Sequence, residues 1–294
     1  MKSLILDGNN IVFRAYHIPR KPQIINNVNI SPVLQFFSMV KSYINKFKPT
    51  NVYIAWDKKL NTEYKSENNF RKTLVPYKEN RPDRPEISDI YDCIDVIINL
   101  TESMGFKNMF PWNLEADDVI HFIINNTVGD KIIISSDRDL LQLVSDEVTC
   151  YNTIKNDIVS LDNFEEHVGL TIDTFILYKC ILGDKSDNIP GLEKYGEVRS
   201  KKLASNYDES TLSLEQLKII ERNKLLIDLS LGLDQSPDDL FSLTEQKEKC
   251  KSIKFNETKF RELCLTYGLS TMLKDIEDWK YALNSRSLLE EWFN

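Results

Sequence analysis

The sequence predicts an α/β fold: a mainly parallel sheet covered by helices, followed by a helical unit. Three observations carry this expectation. The short apolar runs "SLILD", "VYIAWD" and "IIISSD" are too short for helices, rich in β-branched or aromatic residues, and each ends on an aspartate. Helical patterns alternate with these runs, as crossovers between parallel strands require. Beyond about residue 170 the strand signals fade and helical patterns dominate.

The first run places Asp7 at a strand end. Ser31 and Pro32 then supply an N-cap and a first-turn proline, before apolar Val33, Phe36, Phe37, Val40, Ile44 and Phe47 at helical spacing. The second strand ends near Asp57. Residues 86–104 repeat apolar positions at Ile87, Ile90, Ile94, Ile97 and Ile98, with Gly105 as the stop. Residues 114–126 form a third helix whose first turn holds Glu115, Asp117 and Asp118. The third strand ends at Asp137. Asp139 follows on an extended segment, so both carboxylates face one side and Arg138 points away. Ser213 to Gln216 is a capping box before another helix. A soft boundary near residue 170 separates residues 1–170 from a helical region, 171–294.

Composition narrows the class. Across 294 residues, 41% hydrophobic and 28% charged content describes an ordinary globular protein. No apolar run is long enough to span a membrane and the N-terminus lacks a signal-peptide layout, which implies a cytoplasmic protein without a membrane partner. The five cysteines are scattered and never in Cys-x-x-Cys, so reduced, buried thiols are expected; the three dispersed histidines give a zinc site little support. Net charge is −8, which by itself argues against nucleic acid, but its distribution is uneven. Lys58 to Arg84 holds eight basic residues against four acidic ones, whereas Leu203 to Asn294 holds twelve against seventeen.

Nine carboxylates from five segments stand out: Asp7, Asp57, Glu115, Asp117, Asp118, Asp137, Asp139, Asp184 and Asp187. Any one alone is better explained by helix N-terminal preference or turn chemistry. Together they differ, because ligands in such sheets bind off the carboxyl ends of the strands, where three of these acids lie. Oxygen-only ligation suits Mg²⁺ or Mn²⁺, and this many acids exceeds the needs of one ion, which points to two or more. A two-metal site activates water and stabilises the leaving oxygen in phosphodiester cleavage. Removing the nine from 45 acidic residues leaves 36 against 37 basic ones, so the acidity is largely this cluster. Between Asp57 and Glu115, "NNFRKTLVPYKENRPDRPE" interleaves Arg71, Lys72, Lys78, Arg81 and Arg84 with Phe70 and Tyr77. A solvated loop explains it; so does single-stranded nucleic acid, with cations on phosphates and rings under bases.

In order, "ILDGNNIVFRAYH", "FRKTLVPYKENRP", "EADD", "SSDRDLLQLV" and "GDKSDNIPG" closely resemble the 5′-nuclease (flap endonuclease) family, including stand-alone phage or bacterial members and the nuclease domain of bacterial DNA polymerase I. The resemblance spans residue 4 to about 206. It implies a PIN-like catalytic domain over 1–170 with a helical arch at about 60–90, and a helix–three-turn–helix DNA-binding motif at about 175–206 within the 171–294 region. It implies a hydrolase, a divalent-metal-dependent flap endonuclease or 5′-3′ exonuclease of replication or repair, acting on branched or 5′-flap DNA and on RNA primers in RNA–DNA hybrids. A monomer that meets replication proteins is expected. Asp7, Asp57, Glu115, Asp117 and Asp118 resemble the ligands of one metal, and Asp137, Asp139, Asp184 and Asp187 those of a second. Lys78 and Arg81 resemble arch groups that steer the scissile phosphate, and Tyr77 one that stacks a base. Arg14, Arg71, Lys72, Lys194, Arg199, Lys201 and Lys202 complete the expected nucleic-acid contacts. One departure stands in the hairpin after "IPG". Lys194 replaces the usual first glycine and Val198 the usual lysine, which puts the duplex grip and a K⁺ site in question. Two alternatives remain: a structure-specific DNA-binding protein with weak or lost catalysis, and a PIN-like ribonuclease.

Overall fold

The computed structural model describes residues 1–57, 69–80 and 89–284. Strand β1 (Lys2–Asp7) runs into α1 (Gly8–Tyr16), then a small hairpin of β2 (Ile24–Ile25) and β3 (Val28–Asn29), then α2 (Ser31–Phe47). Next come β4 (Asn51–Ala55), the single turn α3 (Arg71–Leu74), α4 (Asp89–Ser103), β5 (Lys107–Met109), α5 (Ala116–Asn125) and β6 (Asp130–Ile134). A hairpin of β7 (Val148–Asn152) and β8 (Asp157–Val159) leads to α6 (Phe164–Val168) and α7 (Ile172–Leu182). A short hairpin of β9 (Gly183–Asp184) and β10 (Ile189–Pro190) joins α7 to α8 (Glu197–Ser205). The rest is helical: α9 (Leu214–Ile227), α10 (Leu229–Gly232), α11 (Pro237–Cys250), α12 (Glu257–Thr266), α13 (Ser270–Lys274) and α14 (Ile276–Asn284). Among the described residues no helix is long and apolar enough to cross a membrane.

The main sheet has the order β5-β4-β1-β6-β7-β8, parallel throughout except for the antiparallel edge strand β8. The chain leaves β1 toward β4 and later returns to β6 on its other side. This makes the carboxyl end of β1, where Asp7 lies, the point at which strand order reverses and where such sheets bind ligands. The α/β expectation therefore holds, and all three expected strands form; β1 ends on Asp7, whereas β4 ends at Ala55 and β6 at Ile134, which leaves Asp57 and Asp137 on the loops just past their carboxyl ends. The edge strands β5 and β8, and β7 beside β8, were not expected from the sequence. The proline of α2 sits in its first turn, but Ile30 takes the N-cap and Ser31 donates its hydroxyl to Lys21 O at 3.0 Å instead of capping. Gly105 does stop the segment after α4, in the left-handed region at φ 85.

Alternation along the strands feeds two cores, as a pleated sheet buried on both faces demands. Leu4, Leu6, Ile54 and Ile134 face a layer made by α1, α2 and α4, onto which Phe260, Cys264, Met272 and Trp279 of the last helices also pack. Ile5, Ala55 and Ile133 face α5 together with Phe175, Ile181, Leu226, Leu229 and Leu233. The helical region thus covers both sides of the sheet.

Candidate active site

The carboxylates begin with a close approach. A Cβ at Gly8 would lie 2.5 Å from the Trp56 ring, so only glycine lets the buried indole seat against the start of α1. This brings the end of β4 beside the end of β1. The Asp57 backbone N–H donates to Asn9 Oδ1 at 3.0 Å, while Asp57 Oδ1 accepts from the Ala116 N–H at 2.9 Å, at the N-terminus of α5. Asp7 caps α1, accepting from the Asn10 N–H at 3.1 Å and from the Ser135 hydroxyl at 2.7 Å. Asp7, Asp57, Glu115, Asp117 and Asp137 share one cleft of about 440 Å³ with Asn9, Asn10, Phe13, Arg14, His17, Lys78 and Ser136.

Like charges crowd there. Burial first, and then the Asp57 and Asp137 charges, push the Asp7 carboxyl up to about 7. Burial, followed by Asp137, Asp7 and Asp57, raises Asp117 well above the usual carboxylate range. Glu115 behaves oppositely: against burial, the Lys78 ammonium and then Arg71 hold it at about 2. Its oxygens accept from Lys78 Nζ at 2.6 Å and from the Tyr77 hydroxyl at 2.8 Å. A second group lies next to the first. Lys179 Nζ stands 2.7 Å from Asp139 Oδ1 and 2.9 Å from Asp184 Oδ2. Asp184 Oδ1 also accepts from the Ser186 N–H at 2.8 Å. Asp187 takes the Tyr77 hydroxyl at 3.1 Å and lies 3.7 Å from Lys78 Nζ.

Several sequence expectations need correction. Asp118 is 1% exposed and its two oxygens are gripped at 2.9 and 2.8 Å by Arg71, itself 1% exposed. The pair neutralises itself inside the core, so Asp118 faces away from the cleft and Arg71 away from any nucleic acid. Tyr77 is 4% exposed, which leaves no ring face for a base; its hydroxyl ties the two carboxylate groups together instead. Asp137 and Asp139 do not lie on an extended segment: Asp139 opens a 3₁₀ turn and donates its N–H to Asp137 Oδ1 at 2.9 Å. Asp137 therefore joins the first group and Asp139 the second. Lys201 turns inward, donating to Val168 O and lying over the Tyr178 ring.

Other positions are as follows. Lys72 is partly buried on α3, and Arg81 and Arg84 lie outside the described residues. Arg14 lines the cleft, and its Nη1 is buried without a hydrogen-bond partner among the described residues. Lys194, Arg199 and Lys202 border a groove of about 1180 Å³ between the segment joining β10 to α8, α8 itself and the start of α9. Lys194 occupies the left-handed region at φ 67, a conformation that favours glycine. Lys179, Asn9, Asn10 and Phe13 escaped the sequence reading. A lone lysine in the apolar run "ILYKCIL" was the one available signal for Lys179.

Among the described residues no three His, Cys, Asp or Glu side chains already close around a point as a metal cage does. The donor set nonetheless fits hard divalent cations, since it is all oxygen and self-repelling, and a cation offsets the repulsion that raises Asp7 and Asp117.

Residues 2–169 match the family model for the 5′-3′ exonuclease, N-terminal resolvase-like domain. A 5′-3′ exonuclease of Mycoplasmopsis pulmonis is 31% identical over 75% of this chain and 73% of its own length. DNA polymerase I of Caldicellulosiruptor bescii is 28% identical over 93% of this chain, which spans only 34% of that relative. The solved structure of T5 5′-exonuclease with divalent metal ions (zinc) bound superposes with a TM-score of 0.70 at 22% identity, over 86% of this chain and 99% of the other.

Proposed function

The chain belongs to the 5′-3′ exonuclease family, a family of hydrolases, and on that premise we propose that it is a divalent-metal-dependent, structure-specific 5′-nuclease on branched or 5′-flap DNA. The observation that carries the reading is the convergence of Asp7, Asp57, Glu115, Asp117 and Asp137 on one cleft at the switch point of the sheet. Family relatives are 5′-3′ exonucleases, and the T5 enzyme of the same fold holds divalent ions. Asp7, Asp57, Glu115, Asp117 and Asp137 would hold one ion, and Asp139, Asp184 and Asp187 a second, with Mg²⁺ or Mn²⁺ as the expected species. Bound there, such ions would supply an activated water and stabilise charge on the phosphate oxygens.

The protein's own groups do the rest. Lys78 and Arg14 present positive charge to a phosphate entering the cleft and stabilise the charge that develops on it. Arg81 is proposed for the same task. Tyr77 stays protonated, because burial and Glu115 raise its hydroxyl well above the usual value, and it remains a donor to both carboxylate groups. Residues 1–170 would act as the catalytic unit and 171–294 as the DNA-binding region, a division of roles across shared cores. Helices α7 and α8 with their connecting hairpin would form the helix–three-turn–helix motif, with Lys194, Arg199 and Lys202 on duplex phosphates. RNA–DNA hybrids as further substrates, a monomeric state, contacts with replication proteins and a cytoplasmic setting belong to the same proposal.

The deciding experiment incubates purified protein with a 5′-labelled flap duplex in Mg²⁺ or in EDTA. Short 5′ products confined to the Mg²⁺ lane are expected, and cut positions separate flap cleavage from stepwise removal. Branch binding in a gel shift without cleavage in any divalent metal would overturn the nuclease reading.

A further inference from the structure

We infer that Asn223, helped by Arg222, is a positioning residue that sets the loop bearing Asp184 and Asp187. The inference rests on the metal-binding role proposed for those two carboxylates.

Asn223 lies on α9, outside both carboxylate groups, and is 0% exposed. Its Nδ2 donates to Cys180 O at 2.8 Å and to Pro190 O at 2.9 Å. These two carbonyls stand on opposite limbs of the loop. Cys180 is in the last turn of α7, where carbonyls lack helical partners, and Pro190 ends β10. One amide group thus closes the loop from behind. Its orientation is settled by its neighbours. Arg222 Nη2 and Nε donate to Asn223 Oδ1 at 2.8 and 3.2 Å, so the nitrogen must be the atom facing the carbonyls. Arg222 Nη2 adds a donor to Pro190 O at 3.0 Å.

Between these anchors the loop has little freedom. A Cβ at Gly183 would lie 2.3 Å from Gly191 N, and one at Gly191 would lie 2.1 Å from Leu182 O, so the limbs meet backbone to backbone. The carboxylates hang on that frame. Asp184 pairs in register with Ile189, and the Asp187 carbonyl accepts from the Lys78 N–H at 3.0 Å. Asn188 Nδ2 donates to Pro76 O at 2.7 Å, and Asn80 Nδ2 to Lys185 O at 3.0 Å. The front of the loop is held by residues 76–80 and its back by Asn223. Loss of the amide leaves the Cys180 carbonyl buried without its donor, leaves Pro190 O to Arg222 alone, and frees the β9–β10 limbs to shift relative to Lys179 and Lys78.

The test compares the full chain with Asn223→Leu, Arg222→Met and Asp184→Asn. In metal-free protein, hydrogen exchange of the Ser186, Asp187 and Asn188 amides should quicken in Asn223→Leu while β1 and α5 amides keep their protection. Mn²⁺ affinity, read by paramagnetic resonance, should fall about 10–100-fold, the usual cost of losing support behind a ligand. Flap cleavage should lose kcat with KM for DNA unchanged. Arg222→Met should move the same readouts less, and carries the test should Asn223→Leu fail to fold. Wild-type loop exchange and Mn²⁺ affinity, beside an inactive Asp184→Asn, would overturn the positioning role alone. So would loss of protection spread evenly over the core. Full turnover in Asp184→Asn would overturn it by removing the ligand reading beneath it.

Discussion

Replacing Arg71 by methionine should destabilise the protein by about 4 kcal/mol, in the usual range for breaking one side of a buried ion pair. The side chains of Arg71 and Asp118 are 2% and 1% exposed, so solvent screens almost none of their interaction. Methionine keeps much of the volume but removes the guanidinium that holds both Asp118 oxygens, at 2.9 and 2.8 Å, and that donates from Nε to Leu226 O at 3.1 Å. A buried carboxylate and a buried carbonyl are left facing apolar surroundings. With an unfolding entropy of about 2 cal/mol/K per residue, that loss lowers the thermal midpoint by roughly 6–7 °C. Urea denaturation with a matched thermal scan reads it directly. The double variant Arg71→Met with Asp118→Leu should recover much of the loss, since replacing a whole buried pair by apolar groups is often neutral. A single-variant cost below about 1 kcal/mol, or a double variant no better than the single, would refute the reasoning.

Three other outcomes are expected. Asp117→Asn should slow single-turnover flap cleavage about 100-fold or more while DNA binding in EDTA is kept; near-normal turnover would remove Asp117 from the site. In EDTA, Asp7→Asn should be more stable than wild type at pH 8, because folding wild type holds a carboxyl at about 7 that the unfolded chain releases near its ordinary value. That gap should open as pH rises from about 4 to about 7 and close below, since both forms are then neutral at this position; thermal scans showing the opposite trend would defeat the argument. Lys179→Ala should cost about 2 kcal/mol in EDTA by leaving Asp139 and Asp184 to repel, and added Mn²⁺ should restore most of it; a loss unchanged by Mn²⁺ would count against a cation site there.

The parts legible in the sequence were those written in local patterns. Short β-branched runs ending on Asp7, Asp57 and Asp137 marked strands and their carboxyl ends together, because burial on both faces forces continuous apolar runs. The capping box at Ser213 and Gln216 formed as read. What failed depends on contacts between distant segments. "EADD" offers three acids of equal appearance, and only Arg71, 47 residues away, turns Asp118 into the core. Tyr77 looks like a stacking ring until Glu115 and Asp187 are seen to take its hydroxyl. The expected alternation of Asp137 and Asp139 was lost to an Asx-type hydrogen bond that curls the chain into a 3₁₀ turn. Strands β5 and β8 span three residues each, too few for a period to register.

The sharing of cores has a consequence in time. The sheet face carrying Ile5, Ala55 and Ile133 is completed by Leu226, Leu229 and Leu233. A ribosome that has finished residue 170 must still add about 60 residues before that cover emerges, roughly 3–12 s at ordinary elongation rates. Through that interval the nascent chain carries a partly uncovered apolar sheet, the kind of surface that chaperones hold and that aggregates at high expression. A fragment ending at 170 would keep that state permanently, and an exchange of the helical region between relatives would have to match the sheet it closes.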